Sequence, residues 1–507
     1  MEEPFVPARL IDIAEPRPGS EWRLWVKASD PYRPVNYITL SHRWGTASFL
    51  NLTKSNIKTL EAGLPLSALP KTFRDAVEIA KRLGERFLWI DSICILQDSL
   101  KDWQEQSAAM RDIYTHSLCN IAATAAVDSH GGCFVQRKIS DVLPCIIPEY
   151  SQEFPDKNCT ILSMDLWTDD IEQAPLNQRG WVLQERLLAP RTVHFGVRQI
   201  FWECNEMSAC EMYPKKLPST HFLHRRPSIR CSHPLFSANC GTSDDDSGQK
   251  LSYAQDPYVF WARIVGSYCR CSLREPADKL VALSGLALQL QETTKDDYYA
   301  GLWRKSLAGQ LLWHVVGCMQ ADGSASRRPM HYRAPTWSWA SVDGLVRTND
   351  LHVDVDSFSK PLVEIVDIQT IPLANNVTGQ IGHAYLMMRG VLTQASITGG
   401  PGNAVKLRIG KLDRRAMFHL DIRLIESPLD VICVPIAHYI WPGYKHGPSV
   451  EGLILQRTGP GEHLYTRLGT FKVESCAECE ELGLGFRSEH SLGKYAHHVS
   501  QQLITIV

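Results

Sequence analysis

The chain has 507 residues, 44% of them hydrophobic and 21% charged, with a formal net charge of −2 and a pI near 6.8. That length is more than one hydrophobic core usually organises, so several domains are expected, and the near-neutral balance offers no overall basic field for nucleic acid. The start Met-Glu-Glu-Pro lacks the basic flank and apolar stretch of a secretory signal, and no window reaches the roughly 18 apolar residues of a membrane span, so a cytoplasmic protein without membrane contact is expected.

In such a compartment the 15 cysteines are expected to be reduced, mostly as small core residues. The 14 tryptophans, several of them clustered as at Trp337 and Trp339, are expected to build aromatic cores.

In chain order, Tyr37 to His42 is a β-favouring run ending at Arg43-Trp44-Gly45, which reads as a strand followed by a loop. Phe73, Ala76, Val77, Ala80 and Leu83 recur at helical spacing between Pro70 and Gly84, the residues suited to starting and stopping a helix. Phe87 to Ile90 is an unbroken apolar run too short for a helix, as expected of a strand buried on both faces, with Asp91 at its end. Trp103, Met110, Ile113 and Tyr114 give a second helix from Asp102, and Leu118–Thr124 gives a third strand. Strand, helix, strand, helix, strand predicts a parallel, doubly wound α/β sheet.

Thr192–Phe195 and Gln199–Glu203 read as a hairpin around Gly196. Residues 215–250, with their Pro, Ser and the Asp244-Asp245-Asp246 run, read as a flexible insertion or linker. Helical spacing returns over 257–271, where Trp261, Ile264, Val265 and Tyr268 share a face, and over 278–315. Beyond 355, short β-rich stretches between Gly and Pro turns predict an antiparallel region. The resulting plan is an arm at 1–34, a core at 35–214, the linker at 215–250, a helical continuation at 251–350 and a β-rich region at 351–507.

Standard NTPases, serine esterases and zincins are disfavoured, since their signature motifs are missing. Cys476 and Cys479, with His490, His497 and His498 downstream, lack a recognised second half for zinc, and no metal is expected. Polar residues at the predicted C-terminal strand ends are more informative, because open α/β sheets build ligand crevices there. His42, Asp91 and Asp98 are the candidate catalytic groups, with Arg43, Trp44 and Gln97 beside them as candidate ligand contacts, although either aspartate also suits turn or helix capping. Glu105, in the first turns of its helix, is a candidate base or cation stabiliser and equally a helix-dipole partner. Arg179 and Arg186 are candidate anion contacts, or else partners that fix the local fold by pairing with Glu185.

Taken together, Tyr37-Ile-Thr-Leu-Ser-His-Arg-Trp-Gly45, Leu69-Pro-Lys-Thr-Phe-Arg-Asp-Ala76, Leu88-Trp-Ile-Asp-Ser-Ile-Cys-Ile95, Gln97-Asp98, Asp102-Trp103 and Met110 to Tyr114 resemble the heterokaryon-incompatibility (HET) domain in family order. The resemblance continues through Ile121–Thr124, Arg179-Gly-Trp-Val-Leu-Gln-Glu-Arg186, Phe201–Cys204, Asp278–Gly285 and Ala334–Ser341. It implies a cytoplasmic fungal module that arrests growth or triggers cell death when genetically different hyphae fuse, with a core similar to Toll/interleukin-receptor (TIR) domains. Some TIR domains cleave NAD, so NAD enters as a candidate substrate, with no bound cofactor expected. Family members carry a glutamate three residues after the tryptophan of Asp-Trp. Here that position is Gln106, and Glu105 stands about 100° away around the helix. Three readings follow: a signalling or cell-death module acting through a homo-oligomer or partner protein, an NAD glycohydrolase, and a HET-derived enzyme of secondary metabolism that cyclises, dehydrates or isomerises a small molecule.

Overall fold

A computed structural model describes residues 5–14, 19–30, 36–143, 145–147, 159–161, 165–217, 256–348, 359–373, 378–398, 406–409, 417–423, 428–439, 449–459, 463–474, 482, 484 and 501–507. The linker expected at 215–250 lies outside the described residues from 218 onward, as do Cys476, Cys479, His490, His497 and His498. The chain divides into two compact units, residues 1–251 with 271–273 and 282–286, and residues 252–270 with 274–281 and 287–507.

The first unit is built on an eight-stranded sheet. Its strands are β1 (Arg9–Asp12), β2 (Arg23–Val26), β3 (Ile38–Ser41), β4 (Phe87–Ile90), β5 (Cys119–Ala122), β6 (Arg191–Phe195), β7 (Ile200–Cys204) and β8 (Ser208–Cys210), in the order β8-β7-β6-β5-β3-β4-β1-β2. β3 pairs in parallel with both β4 and β5, and β5 with β6. The pairs β4–β1, β1–β2, β6–β7 and β7–β8 are antiparallel. Over residues 37–124 the strands β3, β4 and β5 are parallel as the alternation predicts, while the sheet as a whole is mixed: a parallel centre bordered by two antiparallel strands on each side. The stretch read as an arm supplies β1 and β2.

Within the parallel centre the chain goes from β3 to its neighbour β4, then back across β3 to β5 and on to β6. The reversal places a topological switch point between β3 and β5. Right-handed crossovers put α1 (Lys71–Arg82) on one face and α2 (Leu100–Thr115) with α3 (Gly180–Leu188) on the other. α1 buries Phe73, Ala76, Val77, Ile79 and Ala80 at the spacing of one helical face, and Gly84 follows it at φ +77°. All four residues of β4 are buried, as both faces of a central strand require.

Asp102 ties β1 to the start of α2. Its carboxylate accepts from Arg9 at 2.6 and 3.0 Å and from the backbone N–H of Leu96 at 2.8 Å, and both side chains are largely enclosed. Glu105, three residues on, points outward with its side chain 59% exposed and only a loose 3.9 Å approach to Lys101, whereas Gln106 is buried.

In the second unit, α4 (Pro257–Tyr268) is capped by the Asp256 carboxylate and buries Trp261, Ile264, Val265 and Tyr268 as the periodicity predicts. α5 (Ser284–Thr294) is the longest helix within the 278–315 stretch; the helical expectation is interrupted at residue 298, and helix returns only in the short turns of Arg304–Ser306 and Leu307–Gln310. At the interruption Tyr298–Tyr299 and Leu302–Trp303 form a tight hairpin through Ala300 and Gly301, both at positive φ. The Gly301 carbonyl accepts the indole N–H of Trp261 and of Trp339, and a Cβ on Gly301 would stand 2.5 Å from the Trp339 ring nitrogen. Two aromatic donors therefore fix a turn that periodicity alone does not reveal. Trp303, Trp313, Trp337 and Trp339 are fully buried, as the composition suggested.

The remainder is a ten-stranded sheet. With β9 (His314–Val315) and β10 (Val346–Arg347) forming a separate pair, its strands are β11 (Glu364–Pro372), β12 (Ile381–Gly390), β13 (Thr393–Thr398), β14 (Lys406–Ile409), β15 (Met417–Leu420), β16 (Leu429–Tyr439), β17 (Ser449–Arg457), β18 (Leu464–Val473) and β19 (Gln502–Ile506), plus the short Ser359–Pro361. The main path runs β11-β12-β19-β18-β17-β16-β13-β14, and its pairs are antiparallel except β18–β19, in keeping with the β-rich region expected beyond 355. No described helix is long and apolar enough to cross a membrane.

The contrast between Asp102 and Glu105 gives a direct test. Asp102→Ala, which strands an enclosed arginine, is expected to destabilise the first unit by about 3 kcal/mol or more, while Glu105→Ala stays within about 0.5 kcal/mol. Urea unfolding followed by tryptophan fluorescence measures both, and equal effects would contradict these assignments.

Candidate functional site

β3 runs straight into the site. Its last residue, Ser41, and the next, His42, stand at the C-terminal sheet edge beside the switch point. His42 is 1% exposed and ringed by aromatic side chains, lying parallel to Trp44 at 6.4 Å and edge-on to Phe49 and Phe73 at 6.2 and 4.8 Å. The loop can turn here because Gly45 adopts φ +71°, where a Cβ would approach Asp128 Cβ to 2.3 Å.

Asp91 follows β4, the parallel neighbour of β3. Its carboxylate accepts from Trp44 Nε1 at 2.9 Å and from the backbone N–H of Ser92 at 2.7 Å, and it lies 3.5 Å from His42 Nδ1. Gln97 Nε2 donates to the backbone carbonyls of Asp91 and Ile95, holding the turn rather than the carboxylate. Arg179, at the entry to α3, donates to the backbone carbonyl of His42. His42, Trp44, Asp91, Gln97 and Arg179 are therefore brought together. Burial depresses the His42 pKa to about 4; Asp91 pulls upward and Arg179 adds to the depression. His42 is thus a neutral imidazole at physiological pH, and its Nε2, like Ser92 Oγ, is buried without a hydrogen-bond partner among the described residues.

Directly beneath lies a polar cluster that sequence reasoning did not single out. Ser41 Oγ donates to Glu185 Oε2 at 2.5 Å and accepts from Asn120 Nδ2 at 3.0 Å, while Thr39 Oγ1 donates to Asn120 Oδ1 at 3.0 Å. The Tyr114 hydroxyl also bonds the Glu185 carboxyl. Burial raises the Glu185 pKa, Asp91 adds to the rise, and Arg179 with the two hydroxyls pulls the other way. The available signal was Asn120, an amide in an otherwise apolar central strand, where a polar side chain needs buried partners.

The other sequence candidates stand elsewhere. Asp98 is exposed, and both its oxygens accept from the Lys54 backbone N–H at 3.0 and 3.1 Å, so it fixes a loop. Arg43 is exposed. Glu105 faces outward. Arg186 pairs with Glu203 rather than Glu185, bidentately at 2.6 and 2.9 Å, and Glu203 also meets His194 Nε2 at 3.2 Å. Although burial opposes it, Arg186 and His194 hold the Glu203 carboxyl well below the usual range. Among the described residues no group of three His, Cys, Asp or Glu side chains is placed to hold a metal ion.

The His42 environment has a pH signature. In the unfolded chain His42 binds a proton below about pH 6.5, whereas in the folded chain it resists until about pH 4. Its contribution to stability is therefore complete above pH 6.5 and lost as pH falls toward 4, about 3 kcal/mol in all. His42→Gln is expected to remove about that much of the acid destabilisation in urea unfolding at pH 7 and pH 4.5. Parallel pH profiles in the two proteins would show that His42 is not held neutral.

No curated protein and no solved structure matches the chain. Residues 37–185, from the strand entering the site to the buried glutamate that closes it, match the family model described as heterokaryon incompatibility protein (HET). The stretches at 201–204, 278–285 and 334–341 lie outside that match, so the similarity to the HET family is to residues 37–185, a segment of the first unit.

Proposed function

We propose that this chain is a signalling module of fungal non-self recognition, which arrests growth or triggers cell death by associating with itself or with a partner protein. The observation that carries this reading is the family match over residues 37–185. The geometry supports it by making the matched segment one closed unit, with Ser41 bonded to Glu185 and Arg179 to the His42 carbonyl.

Glycosidic cleavage of NAD draws on an ionised carboxylate beside the sugar. The family position holds the buried amide of Gln106, Glu105 faces outward, and Glu185 is enclosed by Ser41 and Tyr114. This arrangement favours signalling over hydrolysis.

Induced expression in a filamentous fungus tests the proposal, read as colony extension and viability at matched protein level. The native chain and Glu105→Ala are expected to arrest growth, and Glu185→Ala to lose that effect. Cellular NAD is expected to hold steady before arrest, and purified native chain to release nicotinamide no faster than buffer. Unimpeded growth with the native chain, or nicotinamide release that disappears in Glu105→Ala, would overturn the proposal.

A further inference from the structure

The second unit gathers cations around a stacked pair of imidazoles. His314 on β9 lies face to face with His419 on β15, the ring centroids 4.4 Å apart and the planes 23° from parallel. Pairing of β9 with β10 sets Arg347 directly opposite His314. His419 and Arg347 are exposed and His314 is partly so. No carboxylate is paired with any of the three among the described residues.

The surrounding charges are already committed. Arg467, behind His314, lies over the Trp313 ring at 3.5 Å and donates to both oxygens of Asp421 at 3.1 and 3.2 Å. Asp421 also receives Arg328 at 3.1 Å. On the far side of β15, Cys318 donates to the Leu420 carbonyl and feels Asp421 and Arg423. Burial, then His419, Arg347 and Arg467, hold His314 down to about 4; burial, then Arg347, lowers His419. The cluster therefore carries a cationic surplus that discourages its own protonation.

The ring geometry selects the ligand. Imidazole lone pairs lie in the ring plane, so near-parallel rings direct them along neighbouring planes instead of converging on one metal ion. N–H donors on two stacked rings next to a guanidinium suit an anion with several acceptor oxygens. We propose that His314, His419 and Arg347 form a surface site for a phosphate-class oxyanion, free or esterified, received by the two imidazolium edges and the Arg347 guanidinium. Protonation and binding are then reciprocally coupled: the anion lifts both histidine pKa values, and it binds more tightly as both become charged.

Histidine C2 resonances of the full chain, assigned from His314→Gln and His419→Gln spectra, test this in pH titrations with inorganic phosphate, with glycerol phosphate and with chloride at matched ionic strength. Phosphate is expected to raise both pKa values by about one unit over chloride, a preference of about tenfold per proton and about a hundredfold for the doubly charged pair. Arg347→Gln, a change at an exposed position, is expected to cut that shift to less than half. A larger shift with glycerol phosphate assigns the site to an esterified group, and a smaller one to the free anion. Equal shifts in phosphate and chloride would overturn the proposal. So would histidines titrating near 6.5 without phosphate, since the cluster would then be neutralised by the chain's own carboxylates.

Discussion

A carboxyl group withdrawn from water must be received by other polar groups or the fold loses several kcal/mol. At Glu185 that demand is met by Ser41 at the end of β3 and by Tyr114 near the end of α2, with Arg179 supplying opposite charge. These residues are far apart in the chain and belong to the strand, crossover helix and closing helix that frame the switch point. Because Ser41 and Tyr114 are buried, neither can release the carboxyl to solvent without opening the sheet edge. The position of His42 follows from the same arrangement, since its backbone continues β3 and its carbonyl is held by Arg179.

Above this cluster, His42 and Asp91 differ in how far the fold commits them. Asp91 is fixed by an indole and a backbone donor, so its carboxylate orientation is determined by Trp44 and Ser92. His42 is fixed by ring packing, which leaves Nε2 with unused hydrogen-bonding capacity. An imidazole held neutral by burial presents one donor and one acceptor and can favour a partner's polar atom without carrying charge. That property suits recognition as well as it suits chemistry.

The parallel centre was legible because its signals are local: an apolar run for β4, a 3.6-residue stripe for α1, and polar residues where strands end. Grouping His42, Trp44 and Asp91 needed only the rule that crevices form at strand C-termini. What escaped was long-range. β1 and β2 lack the unbroken apolar run of the equally short β4; β1 is held by Arg9–Asp102 and by pairing with β4, and β2 by pairing with β1. Glu105 was misplaced because one residue of helix rotation separates a buried position from an exposed one. The sequence leaves either Arg179 or Arg186 as a partner for Glu185; it is Arg179 that supplies the opposite charge there, while Arg186 turns to Glu203 on β7. In the second unit, indole donors converging on the Gly301 carbonyl overrode a helical periodicity.

The central claim is that Glu185 closes residues 37–185 into one cooperative unit. Amide hydrogen exchange of the full chain, native against Glu185→Gln, tests it most directly. An amide keeps the size of the carboxyl but not its capacity to accept from both hydroxyls. Protection is expected to fall together at Leu40–His42, Ile113–Thr115 and Val182–Leu187, segments that meet at that side chain, while the strands of the second unit stay unchanged. Loss confined to Val182–Leu187, with β3 and α2 still fully protected, would contradict the account.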